Sequence, residues 1–397
     1  MTRDYLAMLG RTRPVFEHDL SVSEDELVDR IRASSFLVLG GAGSIGQAVV
    51  LELFRRRPQR LHIVDLSENN LVELVRSIRS SIGYIDGDFR TLALDAQSTE
   101  FRAFVGTSAP YDYVLNLAAL KHVRSERDPF TLMRLVQTNV LMTVSTLQLA
   151  IDRGSCGYFS VSTDKAVNPA NAMGASKRVM ELCLAARGNE IRATSARFAN
   201  VAFSDGSLLH GFGLRLAKRQ PLSAPQDVRR YFITSREGAL LCLLSCLLGR
   251  SLDCFFPAPD QGFQPTSFRH VAESYLREQG LEPYPCASEE EARRRVEELS
   301  AKGCWPCYFF DSDTTGEKTI EEFFSLNEDV ELGRFREIGV ARLSPPDDPA
   351  ALGRFFEAVS HLYHADAWSR NDILTPLQAL VPEFRHHETG KFLDQRM

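Results

Sequence analysis

The chain has 397 residues, of which 44 % are hydrophobic and 25 % are charged, so it has room for two domains and can bury a core. Its net charge is −6 and its pI is near 5.9. This acidic balance gives no electrostatic reason to expect nucleic acid or an anionic membrane surface as a partner. We therefore expect any bound phosphate to be held by local groups.

The N-terminal residues and the apolar runs carry no targeting or membrane signal. Residues 1–20 lack the basic start and continuous apolar core of a signal peptide. The longest apolar run, residues 239–248, is too short to cross a bilayer. These features predict a cytoplasmic protein without a membrane partner. The eight cysteines are scattered, which in a reducing compartment favours free thiols.

No histidine or cysteine spacing is typical of a metal site. Cys304 and Cys307 form a C-x-x-C pair, but no second pair lies at zinc-site spacing. His386, His387 and Glu388 are consecutive, so their side chains do not converge on one ion. We expect no bound metal.

Residues 36–39 are typical of a fully buried strand and run directly into the sequence GGAGSIG. Its glycines form a G-x-x-G-x-x-G motif, which allows a tight turn and brings backbone N–H groups up to a pyrophosphate. A helix predicted from 44 to about 56 and a second strand at 61–65 supply the expected context. The cofactor contacts predicted in this loop are Gly40, Gly43, Ser44, Ile45 and Gly46.

Asp65 closes the second strand, roughly 20 residues beyond Gly46, where a carboxylate accepts hydrogen bonds from an adenosine ribose. Such a carboxylate repels a 2′-phosphate, and the following residues, which include Ser67, offer no arginine, so NAD is favoured over NADP. A third strand is predicted at 91–95. Its terminal Asp95, with Ala96 beside it, is a candidate contact for the adenine, and an ordinary loop carboxylate is the alternative.

Residues 113–119 predict a fourth strand that ends in small residues, among them Ala118, which would let a cofactor lie against the backbone. Lys121 and His122 follow directly. Side chains at the carboxyl end of a strand face the ligand crevice, so both are candidates for substrate contact, with a solvated loop as the alternative. Strands that alternate with helices in this way predict an α/β fold with a doubly wound parallel sheet.

The main candidate for the chemistry is the stretch that follows the fifth predicted strand, residues 157–161. Thr163, Asp164 and Lys165 would emerge at the carboxyl end of this strand. A helix is predicted from 171 to 188, with Asn171 as its N-cap. Met173 and Lys177 lie four residues apart on it and share one helical face. That face is therefore able to address one ligand.

The glycine motif, the run AALKHV that begins at Ala118, the stretch STDKAVNP and the sequence MGASK together resemble the extended short-chain dehydrogenase/reductases. Within them the chain is similar to the nucleotide-sugar 4,6-dehydratases that act on UDP-N-acetylglucosamine in bacterial polysaccharide synthesis. Further similar stretches are RFANV at 197–201, RYFIT at 230–234 and GEKTIEE at 316–322. The likeness covers about residues 36–330. It implies a Rossmann domain and NAD.

The resemblance also implies a reaction and roles. The family oxidises C4 of the hexose, removes the C5 proton while the 6-hydroxyl is lost, and returns hydride to C6, which yields a 4-keto-6-deoxy sugar. By resemblance Asp164 is the acid at O6 and Lys165 the base at C5. At rest an adjacent Asp and Lys prefer the opposite protonation states. A dry site and a positive nicotinamide with Lys177 nearby are expected to correct this.

One position departs from the ordinary short-chain dehydrogenase pattern, because Met173 stands where those enzymes have a tyrosine. Methionine cannot take a proton, so Thr163, directly or through a water, or Asp164 must deprotonate the 4-hydroxyl. Lys177 can still hold the nicotinamide ribose. One branch of the dehydratase family carries this methionine. The alternatives are a C4 or C5 epimerase and a non-catalytic NAD-binding sensor.

The second half of the chain is interpreted as the substrate side. By resemblance Asn200 helps to bind the nucleotide diphosphate, and Ser207 lies where a new helix offers its N-terminus to phosphate. Arg230 aligns with the family motif and suits a phosphate, with a surface ion pair as the alternative. The predicted organisation is an N-terminal arm (1–34), an NAD-binding domain (35–200), a substrate-binding region (201–330) and a C-terminal extension (331–397). By analogy with relatives we expect a homo-oligomer, a dimer or larger.

Overall fold

The computed structural model describes residues 5–258, 263–313, 316, 318, 320, 322–386 and 389–391. The strands are β1 (Ser35–Leu39), β2 (Arg60–Asp65), β3 (Asp88–Ala93), β4 (Tyr113–Asn116), β5 (Gly157–Thr163), β6 (Arg192–Phe198), β7 (Asn200–Val201), β8 (Leu222–Pro225), β9 (Arg229–Arg230), β10 (Phe232–Ile233), β11 (Asp253–Pro257), β12 (Thr266–Ser267), β13 (Glu282–Cys286), β14 (Cys304–Phe310), β15 (Val330–Glu331) and β16 (Ile338–Arg342).

The α-helices alternate with these strands in the first half of the chain and include a pair near the C-terminus. They are α1 (Tyr5–Met8), α2 (Glu17–Arg32), α3 (Ser44–Arg55), α4 (Glu68–Ser81), α5 (Thr99–Thr107), α6 (Pro129–Val136), α7 (Met142–Asp152), α8 (Ala172–Ala186), α9 (Leu208–Ala217), α10 (Ser235–Leu248), α11 (Phe268–Glu278), α12 (Glu289–Arg294), α13 (Val296–Ser300), α14 (Ala351–Tyr363) and α15 (Arg370–Leu380).

The main sheet has nine strands within the described residues, in the order β15-β16-β11-β6-β5-β4-β1-β2-β3. From β3 across to β11 all pairs are parallel, and β16 and β15 add an antiparallel edge. The strand order reverses between β1 and β4, and in such sheets ligands bind outside the carboxyl ends at that point. The predicted doubly wound α/β fold is confirmed.

Helices cover both faces of this sheet. On one face α3 packs against α10, and α10 also contacts α2. On the other face α8 contacts α7 and β5, and the α14–α15 pair lies on α6 and α8 around a separate apolar cluster. β11 and β16 belong to the main sheet although they lie beyond residue 200. The division of the chain into domains stays a prediction.

Most predicted elements lie where the sequence places them, and the differences have local causes. β3 begins at Asp88, which pairs with Arg60 at the start of β2. It ends at Ala93, before Asp95, because Ala93 pairs with Asp65, the last residue of β2. β4 ends at Asn116. The segment that follows leaves the sheet, and the backbone of Leu120 forms hydrogen bonds with the side chain of Asn139. A π turn, Gln137–Leu141, joins α6 to α7.

The charged stretch at 289–301 forms two short helices, α12 and α13, which are separated at Arg295. The C-x-x-C pair lies on β14, where residues three apart point to opposite faces, and both thiols are free. Within the described residues, no helix combines the length and the apolar character that crossing a membrane requires.

A buried ion network joins β6 to the neighbouring elements. Arg197 is fully buried and donates through Nε and Nη2 to the carboxylate of Glu181 on α8, both at 2.7 Å. It also donates to Glu328, and Glu181 accepts from Ser162 Oγ at 2.7 Å. Burial alone raises the pKa of Glu181, but the charges and hydrogen bonds of Arg197, Arg178 and Ser162 lower it overall. Glu181 is therefore a carboxylate.

Replacement of Glu181 by Gln should destabilise the protein by about 3 kcal/mol, because the guanidinium of Arg197 is left buried with part of its charge uncompensated. Urea or thermal unfolding measures this. The control is Glu190→Gln, which breaks an exposed pair with Arg187 just beyond the same helix and should leave the unfolding midpoint unchanged. Equal midpoints for the two variants would contradict the structural role of the network.

Candidate functional site

The glycine loop between β1 and α3 is tightly packed at two of the three glycines of the G-x-x-G-x-x-G motif. Gly40 has φ of +74°, and a Cβ there would lie 2.6 Å from the Ala118 nitrogen. At Gly46 a Cβ would lie 2.1 Å from the Gly40 carbonyl oxygen. Both positions therefore require glycine for the loop itself to close. Ala118 lies directly against the loop.

Gly43 differs, because a Cβ there would meet only the Gly40 oxygen at 3.6 Å and φ is an ordinary −74°. The fold alone does not require a glycine here. The missing side chain leaves an opening at the N-terminus of α3, which suits the close approach of a pyrophosphate. The loop thus fits a dinucleotide.

Asp65 connects the glycine loop to the start of α4 through two hydrogen bonds. One of its carboxylate oxygens accepts the Ala42 N–H and the other accepts the Ser67 N–H, each at 2.9 Å. Ser67 also caps α4. Asp95 lies in the turn after β3 next to Ala96 and accepts the Gln97 N–H at 2.9 Å.

The side chain of Ile45 is directed away from the ligand side and packs close to Gly238 of α10. Any contact that Ile45 makes with a cofactor would therefore use its backbone. The sequence placed Ile45 among the cofactor contacts without this distinction between side chain and backbone.

The candidate acid–base pair lies at the carboxyl end of β5. Asp164 is buried, and its Oδ1 accepts hydrogen bonds from Thr163 Oγ1 at 2.8 Å and from Lys165 Nζ at 3.1 Å. The Lys165 side chain is 19 % exposed, so it borders the crevice while its partner does not. We call residues 164–171, between β5 and α8, the acid–base loop. The three predicted residues are in direct contact.

Met173 and Lys177 lie on the first two turns of α8, which Asn171 caps through the Gly174 N–H at 2.8 Å. Both side chains are buried, and Lys177 Nζ donates to the Val161 carbonyl of β5 at 2.9 Å. Burial lowers the pKa of Lys177 to about 8, although Glu181 one turn away opposes this. Lys177 can hence change its charge near neutral pH.

Sequence reasoning missed Asn139, which lies in the π turn. Its amide exchanges two hydrogen bonds with the Leu120 backbone, at 2.9 and 3.0 Å, and donates to Ser176 Oγ at 2.9 Å. It thus joins the loop after β4 to α8. The polar run Gln137, Thr138 and Asn139 within this helical stretch was the available signal, and π turns often occur at functional sites.

Lys121 and His122 meet a loop from the predicted substrate side. Lys121 Nζ donates to Ser204 Oγ at 3.3 Å, and a Cβ at Gly206 would lie 3.0 Å from His122 Nε2. Burial lowers the pKa of Lys121, and the carboxylate of Asp205 partly opposes the shift. Burial, with Lys121 and Arg124 nearby, lowers the pKa of His122.

The same loop, residues 204–207, reaches the glycine loop. Ser44 Oγ donates to the Asp205 carboxylate at 3.0 Å and accepts the Asp205 N–H at 2.8 Å. Ser207 caps α9 through the His210 N–H. The structure therefore brings Ser44, Lys121, His122 and Ser207 into one region. Asp205, which the sequence did not single out, places a negative charge beside the predicted pyrophosphate site.

Asn200 and Arg230 are buried or half-buried on neighbouring segments. Asn200 N bonds to the Tyr231 carbonyl, next to Arg230, and its own Nδ2 is buried without a hydrogen-bond partner. An unsatisfied buried donor suits a polar ligand. Arg230 is only 4 % exposed, and its Nη1 donates to the Arg229 carbonyl at 2.9 Å.

Among the described residues, no three His, Cys, Asp or Glu side chains are placed to hold a metal ion. His387 and Glu388 lie outside the described residues. His386 contacts the buried carboxylate of Glu126.

Replacement of Gly46 by Ala should destabilise the protein by about 3 kcal/mol, because the new methyl group meets backbone atoms that cannot move aside. The matched control is Gly43→Ala in the same loop, where the methyl group has space. Thermal unfolding should separate the two variants clearly. A large loss of stability in Gly43→Ala would show that the opening at this glycine is structural.

Lys177 should titrate at a pH near 8 instead of its ordinary value of 10.5, because its ammonium is buried. Carbon NMR of protein labelled at lysine Cε measures this, and the Lys177→Met variant identifies the resonance. The ammonium should lose its proton as the pH rises through 8. A resonance absent from the variant but titrating near 10.5 in the wild type would contradict the expectation.

Comparison with known proteins identifies the family. A family model described as "Polysaccharide biosynthesis protein" matches residues 36–303, which include the glycine loop and the acid–base loop. An uncharacterized membrane protein of Methanocaldococcus jannaschii is 34 % identical over 56 % of this chain and 65 % of its own length. The probable polysaccharide biosynthesis protein EpsC of Bacillus subtilis is 26 % identical over 91 % of this chain and 57 % of its own length. The chain thus spans about half to two thirds of these relatives.

Other relatives carry names of two reaction types. The UDP-N-acetylglucosamine 4,6-dehydratase (inverting) of Campylobacter jejuni is 28 % identical over 53 % of this chain and 62 % of its own length. A UDP-glucose 4-epimerase of Rickettsia prowazekii is 27 % identical over 56 % of this chain and 65 % of its own length. Sequence identity does not separate the two.

Solved structures share the fold. The structure of DesIV, a dTDP-glucose 4,6-dehydratase from Streptomyces venezuelae with NAD and TYD bound, has a TM-score of 0.56 and 18 % identity, and the match covers 73 % of this chain and 88 % of that one. The family model covers more than half of the chain, which confirms the resemblance carried by the motifs. This protein belongs to the polysaccharide biosynthesis protein family, whose relatives include nucleotide-sugar dehydratases and epimerases.

Proposed function

We propose that the chain is an NAD-dependent nucleotide-sugar 4,6-dehydratase that converts UDP-N-acetylglucosamine or a close relative to a 4-keto-6-deoxy sugar nucleotide. The observation that carries this proposal is the contact of Thr163 and Lys165, both half-buried, with the buried carboxylate of Asp164 at the carboxyl end of β5. Loss of water across C5 and C6 needs an acid and a base side by side. A C4 epimerase has no use for such a pair.

The pair can supply both roles by moving one proton internally. With Lys165 charged and Asp164 ionised, neither is in the form that the elimination needs. Transfer of one proton along their 3.1 Å hydrogen bond gives a carboxylic acid and a free amine without changing the net charge. Burial disfavours separated charge, so the low exposure of Asp164 narrows the free-energy gap between the two forms. Asp164 then protonates the departing O6, and Lys165 takes the C5 proton.

The 4-hydroxyl also has to lose a proton. Met173 occupies the helical position of the usual tyrosine and cannot accept it. After the internal transfer Asp164 is already protonated, so the proton of the 4-hydroxyl cannot end on it. We assign the relay to Thr163, whose Oγ1 is held by Asp164 and passes the 4-hydroxyl proton through a water to solvent, and Asp164 keeps its own proton for O6.

NAD, when bound, supplies the acceptor for the C4 hydride and its later return to C6. We propose that the glycine loop holds its pyrophosphate and Asp65 its adenosine ribose. Lys177 would hold the nicotinamide ribose. Burial lowers the pKa of this lysine to about 8, and the ribose hydroxyl groups would stabilise its ammonium form by hydrogen bonding. The remaining proposed contacts are Ser44, Ile45, Ser67, Asp95, Ala96 and Ala118.

We assign the substrate diphosphate to the side of the crevice formed by residues 200–230. Support comes from the unsatisfied Nδ2 of Asn200 and the buried guanidinium of Arg230. Lys121, His122 and Ser207 would face the sugar or its phosphates from the loops that meet the glycine loop. A homo-oligomer, a dimer or larger, is part of the proposal by analogy only.

Incubation with UDP-N-acetylglucosamine and NAD should give a product lighter by one water, as measured by mass spectrometry. The combined variant Asp164→Asn with Lys165→Met should lower the rate by roughly 10³-fold or more, because it removes both the acid and the base. The control is Glu298→Gln with Lys302→Met, which removes an exposed ion pair of the same kind at α13.

Each other outcome supports a different function. A product of unchanged mass indicates an epimerase. Binding of NAD without any change in several sugar nucleotides indicates a non-catalytic sensor. An unaltered rate of dehydration in the Asp164/Lys165 variant would falsify the assignment of the pair.

A further inference from the structure

The acid–base loop is held in place by residues far downstream in the chain. The Gly316 carbonyl accepts the side-chain amide of Asn171 at 2.9 Å, and Lys318 Nζ donates to the Val167 carbonyl at 2.7 Å. Beyond α15, the Arg385 N–H donates to the Pro169 carbonyl at 3.0 Å. The C-terminal extension thus contacts the backbone of this loop directly.

The next residue of the extension, His386, reaches the start of α8 through Glu126. Glu126 is fully buried, and its Oε2 accepts both the Ala172 N–H at 3.0 Å and a contact from His386 Nε2 at 2.8 Å. Its other oxygen, Oε1, is buried without a hydrogen-bond partner. A half-satisfied buried carboxylate is costly, so its position depends strongly on the partners that it has.

Ala172 is the first residue of α8, the helix that carries Met173 and Lys177. The first N–H groups of a helix have no partner within the helix, and a negative charge there is favourable. Glu126 therefore acts as a remote cap for α8. Asn171 caps the next turn, so two side chains fix the junction between the acid–base loop and the helix.

The body of the extension is anchored elsewhere by apolar packing. Phe355, Ile373 and Leu377 of α14 and α15 lie in one cluster with residues of α6 and α8. Trp368 Nε1 donates to the Pro129 carbonyl at the start of α6, at 3.1 Å. These contacts hold the extension on the protein without touching the acid–base loop. The contacts made by residues 385 and 386 are thus separable from its anchoring.

We propose that His386 of the C-terminal extension is a positioning residue, which acts through Glu126 to fix the acid–base loop and the first turn of α8. This inference rests on the proposed function for its catalytic consequence. The extension is then part of the active-site architecture, although it lies outside residues 36–303 that the family model matches. His386 touches neither of the proposed acid–base side chains.

Hydrogen exchange tests the positioning directly and needs no substrate. In the His386→Ala variant the amides of residues 165–175 should exchange roughly tenfold faster, the effect of losing one buried hydrogen bond to a charged group. His386→Gln retains a donor near the position of Nε2 and should restore slow exchange. The matched control is Trp368→Phe, which removes one hydrogen bond of the same extension and should leave exchange of these amides unchanged.

Kinetics supply the second readout. In His386→Ala the kcat should fall roughly tenfold while the KM for the sugar nucleotide stays within about twofold, because misplacing the acid–base pair weakens only transition-state contacts. His386→Gln should recover most of the kcat. Unchanged exchange in His386→Ala, or equally faster exchange in Trp368→Phe, would overturn the inference. Because exchange is measured without turnover, the positioning role is tested even if the proposed reaction does not occur.

Discussion

A guanidinium that has no contact with water determines how this site is assembled. Arg197 lies at the end of β6, and its charge can be buried only because Glu181 and Glu328 surround it. Glu181 belongs to the helix that carries Lys177, and it also accepts a hydrogen bond from Ser162, the residue before Thr163. Three elements of the candidate site are therefore tied to one buried charge.

The Arg197 network and the Asp164–Lys165 pair differ in how their charges are compensated. In the Arg197 network every charge meets several partners, and the pKa of Glu181 lies below its ordinary value, so the pair stays ionised. In the second pair Lys165 Nζ donates directly to Asp164 at 3.1 Å, and the Lys165 side chain borders the crevice. A proton can move within the second pair without changing the net charge of the pair. The first pair provides rigidity, and the second provides a movable proton.

The sequence predicted the parts of the site that depend on local chain geometry. The glycine loop and Asp65 were predicted from spacing and strand context, and the position of Asp164 and Lys165 from the end of a predicted strand. The roles of Asp164 and Lys165 were implied only by the family resemblance. The downstream partners were not predictable in this way. Glu126 is followed by a charged, loop-like stretch and has no special spacing from His386, and only folding brings the two together. The same holds for Arg197 and Glu328, which no periodicity relates.

Boundaries were missed where side chains compete with backbone pairing. β4 was expected to extend to Ala119, but it ends at Asn116. The chain then turns towards Asn139, whose side chain forms both backbone hydrogen bonds of Leu120. The π turn that presents Asn139 has no signature in the hydrophobic pattern of the helix. The polar run that contains Asn139 is visible in the sequence, but its hydrogen-bond partner, the backbone of Leu120, is not.

The long reach of the contacts on the acid–base loop has a consequence for how the molecule forms. Asn171 is 145 residues from Gly316, Val167 is 151 residues from Lys318, and Glu126 is 260 residues from His386. The Asp65 contact that supports the glycine loop spans only 23 residues. During synthesis from the N-terminus, the Asp65 contact of the glycine loop can form early and the contact with Asp205 follows, whereas the acid–base loop waits for Gly316, Lys318 and His386 to leave the ribosome. A nascent chain can therefore support its glycine loop before it can fix the loop that carries the acid and base.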